Sequence, residues 1–393
     1  MRKSKRALRE VKEYIVQIVS EKKAIYFLIC LGCVTVSFNV AAITAAIPVI
    51  SLDLKLPAIQ VSKVIPFYMI PYGLGALIYA PLTRRISYRA ILAGTLALFS
   101  LACFACGMSR DLNGFLLARV AMGVTGASTI PLGLMLIGEL FDKNIRGRLV
   151  GLFFGCSFFA SLAGIVLSGL ANWRCLFFVP AIIAALNSAF FFILKSQSLK
   201  KINSSSVNYL KALRDVKIRN VFIFIFAISF FYHGVHTWFG VYLDKAYGMD
   251  KLTISFFFIL GAIGGLAGQL LGGYISDKKG RLAPCYIGII GLALSMIVLA
   301  GHYSFFVLGM LLALVSVFWT IGHNGVSTVL TDFPDNDRPV IASLNSSVRF
   351  VSGGIGFAVS SIFVDNSFGM TFLGIGICTL LLTFFVKNLV PQH

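Results

Sequence analysis

Gly273-Tyr274-Ile275-Ser276-Asp277-Lys278-Lys279-Gly280-Arg281 joins two long apolar segments of a 393-residue chain. It is a short basic loop with one aspartate and a glycine on either side of it. A weaker copy, Ala80-Pro81-Leu82-Thr83-Arg84-Arg85-Ile86-Ser87-Tyr88, stands 193 residues earlier, again between apolar segments. A second landmark repeats nearly the same offset: Arg146 and Arg338 each follow a long apolar segment and lie 192 residues apart. Two landmarks at one spacing predict a parallel internal repeat.

The composition places both copies in a membrane. Apolar residues make up 58% of the chain and charged residues 12%, with a mean hydropathy of +0.88. Continuous apolar runs of about 20 residues recur along the chain, each long enough to cross a ~30 Å hydrocarbon core as a helix. The runs lack period-2 alternation, and a helix satisfies its own backbone polar groups in lipid. The net charge of +19 does not point to nucleic acid, because the cations sit in short loops between apolar runs. The expected fold is therefore an all-α integral membrane protein.

Twelve spans are predicted, at 24–50, 60–82, 89–109, 112–140, 146–170, 173–194, 219–243, 252–275, 282–300, 304–331, 339–364 and 367–388. One set of loops carries Arg84, Arg85, Arg89, Lys143, Arg146, Arg148, Lys278, Lys279, Arg281 and the cations of residues 195–219. The opposite set carries only Lys55, Lys63, Arg110, Arg174, Lys245 and Lys251. The bias puts both termini in the cytoplasm of a cell bounded by this membrane. Residues 195–218, with Lys200-Lys201-Ile202-Asn203-Ser204-Ser205-Ser206, read as a cytoplasmic linker between bundles at 24–194 and 219–393. Within it, residues from Tyr209 to Arg219 are expected to form a short surface helix. Residues 1–23 carry charges throughout, which excludes a signal peptide. Leu8, Val11, Ile15 and Ile18 recur there at helical spacing among basic residues, as in an amphipathic helix lying on anionic lipid; a solvated tail reads equally well.

The loop resembles that between helices 2 and 3 of the major facilitator superfamily, where it recurs between helices 8 and 9. Arg119-Val120-Ala121-Met122-Gly123 resembles that family's helix 4 motif, Asn172-Trp173-Arg174 opens span 6 as such a pair often does, and Pro48 closes span 1. The resemblance covers roughly residues 24–390. It implies two six-helix bundles around a central cavity, a small-molecule substrate and alternating access. It also implies that Gly273, Asp277, Lys278, Gly280 and Arg281, with Arg84, Arg85 and Gly123, serve gating, Asp277 latching the cytoplasmic side. The first-half copy departs from the pattern: Arg84 stands where the motif has aspartate, so the latch is expected on one side only. Span 5 lacks the glycine-proline pair of drug antiporters.

Candidate binding residues come from polar and aromatic side chains inside spans. Every Asp and Glu falls in a loop, a tail or at a span end, so proton antiport driven by a buried carboxylate is not expected. Asn39 occupies the middle of span 1, where many drug antiporters carry an acid. Two arginines remain inside: Arg119, and Arg349 near the centre of span 11 with Asn345 one turn before it. A buried guanidinium without an acid needs carbonyls, water or an anionic substrate. Tyr68 and Tyr72 form a one-turn aromatic pair. Tyr232, His233, His236 and Trp238 lie on span 7, and Trp319, His323 and Asn324 on span 10. These suggest aromatic substrate contacts, with any proton coupling falling to histidine. Glycines of spans 8 and 11 (Gly261, Gly264, Gly265, Gly268, Gly272, Gly273, Gly353, Gly354 and Gly356) are expected where the halves slide.

The eight cysteines lie mostly within apolar runs as small hydrophobes, and neither Cys30/Cys33 nor Cys103/Cys106 is read as a metal site. No nucleophile motif, acid–base cluster or phosphate-cradling glycine loop is present, so neither an enzyme nor a cofactor is expected. The first expectation is a monomeric exporter of amphipathic compounds. Uptake or exchange of an organic anion held by Arg349 and Arg119 is the alternative. The degraded first loop and the missing acids favour a third reading of another class, a non-transporting sensor or assembly protein of the same shape.

Overall fold

The computed structural model describes residues 21–194, 199, 208–331, 333 and 338–389. The basic segment before residue 21, the Lys200–Ser206 stretch and the loop acids Asp332, Asp335 and Asp337 lie outside them. Among the described residues all regular structure is helical. The first half contains α1 (Glu21–Ser37), α2 (Ala42–Leu54), α3 (Ala58–Val61), α4 (Pro66–Leu82), α5 (Tyr88–Met108), α6 (Leu112–Gly126), α7 (Thr129–Leu140), α8 (Lys143–Leu170) and α9 (Cys175–Ile193). After α10 (Tyr209–Arg214), the second half contains α11 (Val216–His236), α12 (Phe239–Tyr247), α13 (Lys251–Lys279), α14 (Leu282–Val298), α15 (Phe305–Thr331), α16 (Arg338–Val364), α17 (Phe368–Leu381) and α18 (Val386–Leu389).

Ten helical rods among these residues are long and apolar enough to cross a membrane, or 11 if the bent pair α1–α2 counts as one span. The remaining predicted span is α14, an apolar helix of 17 residues, about 25 Å long at 1.5 Å per residue.

The acids missing from mid-membrane have a local task at helix starts. Asp111 accepts a hydrogen bond from the Gly114 amide at 2.8 Å, Asp250 from Thr253 at 2.9 Å, and Asp215 from Lys217 at 2.8 Å. Each occupies an N-cap, where a carboxylate satisfies an orphan donor and meets the positive end of the helix dipole. The Thr253 bonds hold the Asp250 carboxyl below the usual range. At the other end of α13, Gly280 has φ +80°, a conformation that favours glycine. The second glycine of the loop motif thus terminates α13.

Five predicted spans are interrupted, the second by a 3₁₀ turn at Ser62–Val64 and the twelfth by another at Leu382–Phe385. The first bends by 42° between α1 and α2, with Asn39 in the break. The fourth is interrupted between α6 and α7, four residues before Pro131, whose ring displaces the carbonyl of Ala127. The seventh is interrupted at Thr237 and Trp238, between α11 and α12.

The halves touch along three seams. In the middle, α4 lies against α16: Gly73 receives the Ser347 carbonyl and Val351, while Gly353 and Gly354 receive Met69 and Ile70. At the far end, opposite the termini, α2 meets α12 through Thr44 and Gly240. There α8 also meets α13, where the Ser168 and Ser255 hydroxyls are 3.0 Å apart and Lys251 donates to the Ala171 carbonyl at 3.5 Å. Nearer the termini, Gly151 and Gly155 of α8 have no neighbour within 4 Å where a side chain would stand.

This corrects the glycine expectation for span 8. Gly261, Gly264, Gly265, Gly268 and Gly272 all face α15 in their own half, through Ser316, Ala313, Val317, Thr320, Ile321 and Asn324. They permit close packing of α13 on α15 and do not lie on the sliding seam. Gly273 has only Asn324 nearby, at 3.9 Å, and Gly356 faces the Phe230 backbone of its own half. Sequence spacing marks a close-packing face but not which helix will occupy it.

In the linker, Tyr209 of the short helix α10 is half-buried. Its hydroxyl donates to the Leu77 carbonyl of α4 at 2.9 Å, and burial raises its phenol above the usual value. The helix expected from Tyr209 to Arg219 stops at Arg214, and α11 starts at Val216 because Asp215 caps it.

Candidate functional site

The second half builds a column of aromatic and polar side chains. Tyr232, His233 and His236 project from α11, Trp319, His323 and Ser327 from α15, and Asn345 and Arg349 from α16. His236 stacks on Tyr232 (centroids 4.8 Å apart, planes at 21°), and Tyr232 stacks on Trp319 (4.1 Å, 5°). His233 meets Tyr232 edge-on at 5.0 Å, and His323 meets Trp319 at 5.7 Å. His236 also touches Phe258 edge-on and Phe239. The helical one-turn spacing of Tyr232 with His236, and of Trp319 with His323, puts each pair on one face.

Arg349 is the cation of this column. Its Nε donates to Asn345 Oδ1 at 2.7 Å and its Nη2 to Ser327 Oγ at 3.2 Å. No carboxylate among the described residues lies within ion-pair distance of it. The sequence places Arg349 near the bilayer centre, and its Cα is 11 residues into α16. The side chain points back toward the helix start, as helical side chains do, so its head lies beside Ser327, four residues from the end of α15. Arg349, Asn345, Ser327, His323, Trp319, His233 and His236 are all partly accessible although they lie inside the bundle.

The first half is closed by comparison. Arg119 is 1% exposed. Its Nε donates to the Val64 carbonyl at 2.9 Å, its Nη1 faces Met122 Sδ at 3.5 Å, and its guanidinium lies 4.2 Å from the Tyr68 ring centroid. Gly123, one turn on, lets α6 rest on the Tyr68 carbonyl. Arg119 and Gly123 of the helix 4 motif therefore both grip one residue of α4. Asn39 donates weakly to Met122 Sδ at 3.9 Å. Its Oδ1, and the hydroxyls of Tyr68 and Tyr72, are buried without a protein partner. Tyr72 reaches the second half through its ring, 4.1 Å from that of Phe350.

Two predicted residues fall elsewhere. Trp238 is fully buried, donates to Ser360 Oγ at 2.9 Å and stacks on Phe357 at 4.5 Å, which holds α12 to α16. Asn324 donates to the Gln269 carbonyl of α13 at 3.2 Å, away from the column. Three residues outside the sequence-derived set belong to the arrangement. Ser327 repeats the four-residue spacing of Trp319 and His323, a legible signal. Phe350 and Met122 carry none beyond adjacency to Arg349 and Arg119.

At the loop motif, Asp277 is 82% exposed and pairs with Arg281 of its own helix end at 4.0 Å. Arg281 donates to Ser276 Oγ at 3.1 Å, and the Lys278 ammonium lies over the Tyr274 ring at 4.5 Å. Arg84 and Arg85 follow α4 in the turn that leads to the Ser87 cap of α5. At the far end, Asp53 binds Arg174 at 2.7 Å and the Trp173 indole at 3.2 Å, tying α2 to the start of α9. Among the described residues no group of His, Cys, Asp and Glu could hold a metal ion.

The Major Facilitator Superfamily model matches residues 29–357. The probable L-galactonate transporter of Escherichia coli (strain K12) is 24% identical over 261 residues, 59% of this chain and 57% of that one. The multidrug transporter TPO1_2 of Candida glabrata is 26% identical over 170 residues, and the match spans only 29% of its length. Among solved structures, the xylose transporter XylE from E. coli, in a partially occluded inward open conformation, superposes with a TM-score of 0.74 at 17% identity, covering 94% of this chain and 100% of that one. The human organic anion transporter MFSD10 superposes at 0.70 with 13% identity, over 93% and 99%. The chain belongs to the Major Facilitator Superfamily.

Proposed function

We propose that this member of the Major Facilitator Superfamily carries an organic anion across the cell membrane by alternating access, with both termini in the cytoplasm. The observation that carries the reading is Arg349: a guanidinium inside the bundle, partly accessible, held by two neutral oxygens and, among the described residues, by no carboxylate. Burying such a charge without a counter-charge is costly, and an anionic substrate supplies one. A planar fork also suits a carboxylate in bidentate contact. The substrate named for the L-galactonate relative is a carboxylate, which agrees with this reading.

The state described is one in which the far end is drawn together, at Thr44 with Gly240 and Ser168 with Ser255. Arg349 points toward the termini end, where the positive-inside bias puts the cytoplasm. Capture of substrate from the cytoplasm, and hence export, is the direction that this orientation supports. The stacked Tyr232–Trp319 wall supports a second reading, export of neutral or cationic amphiphiles, in which Arg349 only binds its neighbours.

Proteoliposome flux of an organic-anion panel, with Arg349→Lys and Arg349→Gln, separates the two. Under the anion reading Lys weakens apparent affinity roughly tenfold or more and Gln nearly abolishes binding, since a charge-assisted bond contributes about 1.5–3 kcal/mol. Stability loss with unchanged affinity in the folded fraction would leave the amphiphile reading. No flux of any solute would favour a binding protein that does not turn over.

A further inference from the structure

Trp319, His323 and Ser327 stand four residues apart on one face of α15, and all three are partly accessible. The lower end of this face holds the Arg349 head, through Ser327 at 3.2 Å. Its upper end is the Trp319 indole. One indole face is covered by Tyr232, in a ladder of three near-parallel rings with His236. Against the other face no described ring stacks: His233 and His323 approach at 68° and 55°. A cation and an indole face without a stacked ring among the described residues thus lie at opposite ends of one partly accessible strip.

Resting on the organic-anion reading, we propose that the strip is a ruler for an elongated aryl carboxylate, with its anionic group on Arg349 and its ring on Trp319. Eight residues of helix separate Trp319 from Ser327, a rise of ~12 Å. Allowing ~3–4 Å for the guanidinium–carboxylate contact, ring centre and carboxylate carbon of the ligand stand roughly 8 Å apart. That separation fits an aromatic ring and a carboxylate joined by four or five methylenes. A benzoate or phenylacetate reaches one end only. A flat conjugated ring continues the ladder by offset stacking, which a saturated ring cannot do.

The test is binding to the purified full-length protein of phenylacetate, 6-phenylhexanoate and 6-cyclohexylhexanoate, with melting temperature measured on the same samples. The ruler predicts 6-phenylhexanoate at least tenfold tighter than phenylacetate and about fivefold tighter than its cyclohexyl analogue. Trp319→Leu removes the phenyl-over-cyclohexyl preference and leaves phenylacetate unchanged, and Trp319→Phe restores the preference if Leu disturbs folding. Equal binding of the two long acids, with Trp319→Leu weakening both alike, would make the indole a plain apolar wall and overturn the ruler. Arg349-dependent binding indifferent to length and ring would overturn the ruler while the organic-anion reading stands. Binding of all three acids unaffected by Arg349→Gln would overturn both.

Discussion

Gly240 of α12 rests directly on the backbone carbonyl of Thr44 in α2, and Pro48 is the reason that carbonyl faces outward to meet it. Four residues after Thr44, proline has no N–H to donate in the helical pattern. A side chain at position 240 would collide with the exposed oxygen, so glycine there permits the two halves to close at the far end.

Gly240→Ala should therefore hold the far end apart. Its methyl meets backbone, which no rotamer change can relieve, and overpacking of this kind costs about 1–3 kcal/mol. That shifts a two-state balance roughly 5- to 150-fold. Labelling of Ser255→Cys by a membrane-impermeant thiol reagent from the far side should rise in the Gly240→Ala background, with transport slowed. Unchanged labelling would show that this contact does not control closure.

Arg119 should behave unlike Arg349. Its partners are the Val64 carbonyl, Met122 and the Tyr68 ring, and it is buried within one half. Arg119→Gln leaves the Val64 carbonyl unpaired and loses the cation–π contact, while relieving the desolvated charge. The expected net effect is a stability loss of about 1–2 kcal/mol, with substrate affinity unaltered in the folded fraction. A large affinity loss at normal melting temperature would place Arg119 in the binding site.

Asp277→Asn should not lower thermal stability, because the exposed carboxylate pairs with Arg281 at 4.0 Å, and such pairs contribute little. If Asp277 latches the termini end when that end is shut, the variant should still slow turnover at normal membrane insertion. Arg84→Lys, which keeps the loop charge, should have less effect. Normal kinetics in Asp277→Asn would remove the latch.

Proton coupling can be tested at the histidines, since no described carboxylate reaches the column. Replacing His233, His236 and His323 together by Gln should flatten the pH dependence of transport. A profile that survives the triple change would turn attention to Glu139, which accepts a hydrogen bond from Tyr88 at 3.0 Å.

Much of the fold is written in local pattern. Apolar runs of membrane length, cations gathered in alternate loops, and the loop motif at Gly273–Arg281 with its echo 193 residues earlier are properties of neighbouring residues along the chain. Backbone satisfaction in lipid then leaves helices as the outcome. Even the lack of mid-membrane acids could be read directly, and it marked Arg119 and Arg349 as charges without an acid in the spans.

Partners across helices were decided only by tertiary packing. The glycines of α13 announce a close-packed face, yet they face α15 and not the other half. Trp238 and Trp319 look alike in the sequence, but the first is fully buried and locked to Ser360 and Phe357, while the second stacks on Tyr232 and stays partly accessible. Arg349 lies mid-helix by count, and its long side chain carries the charge back to Ser327. Periodicity fixes which residues share a face of their own helix. Which neighbour covers that face depends on how all the helices fill space together, and that is a property of the assembled bundle.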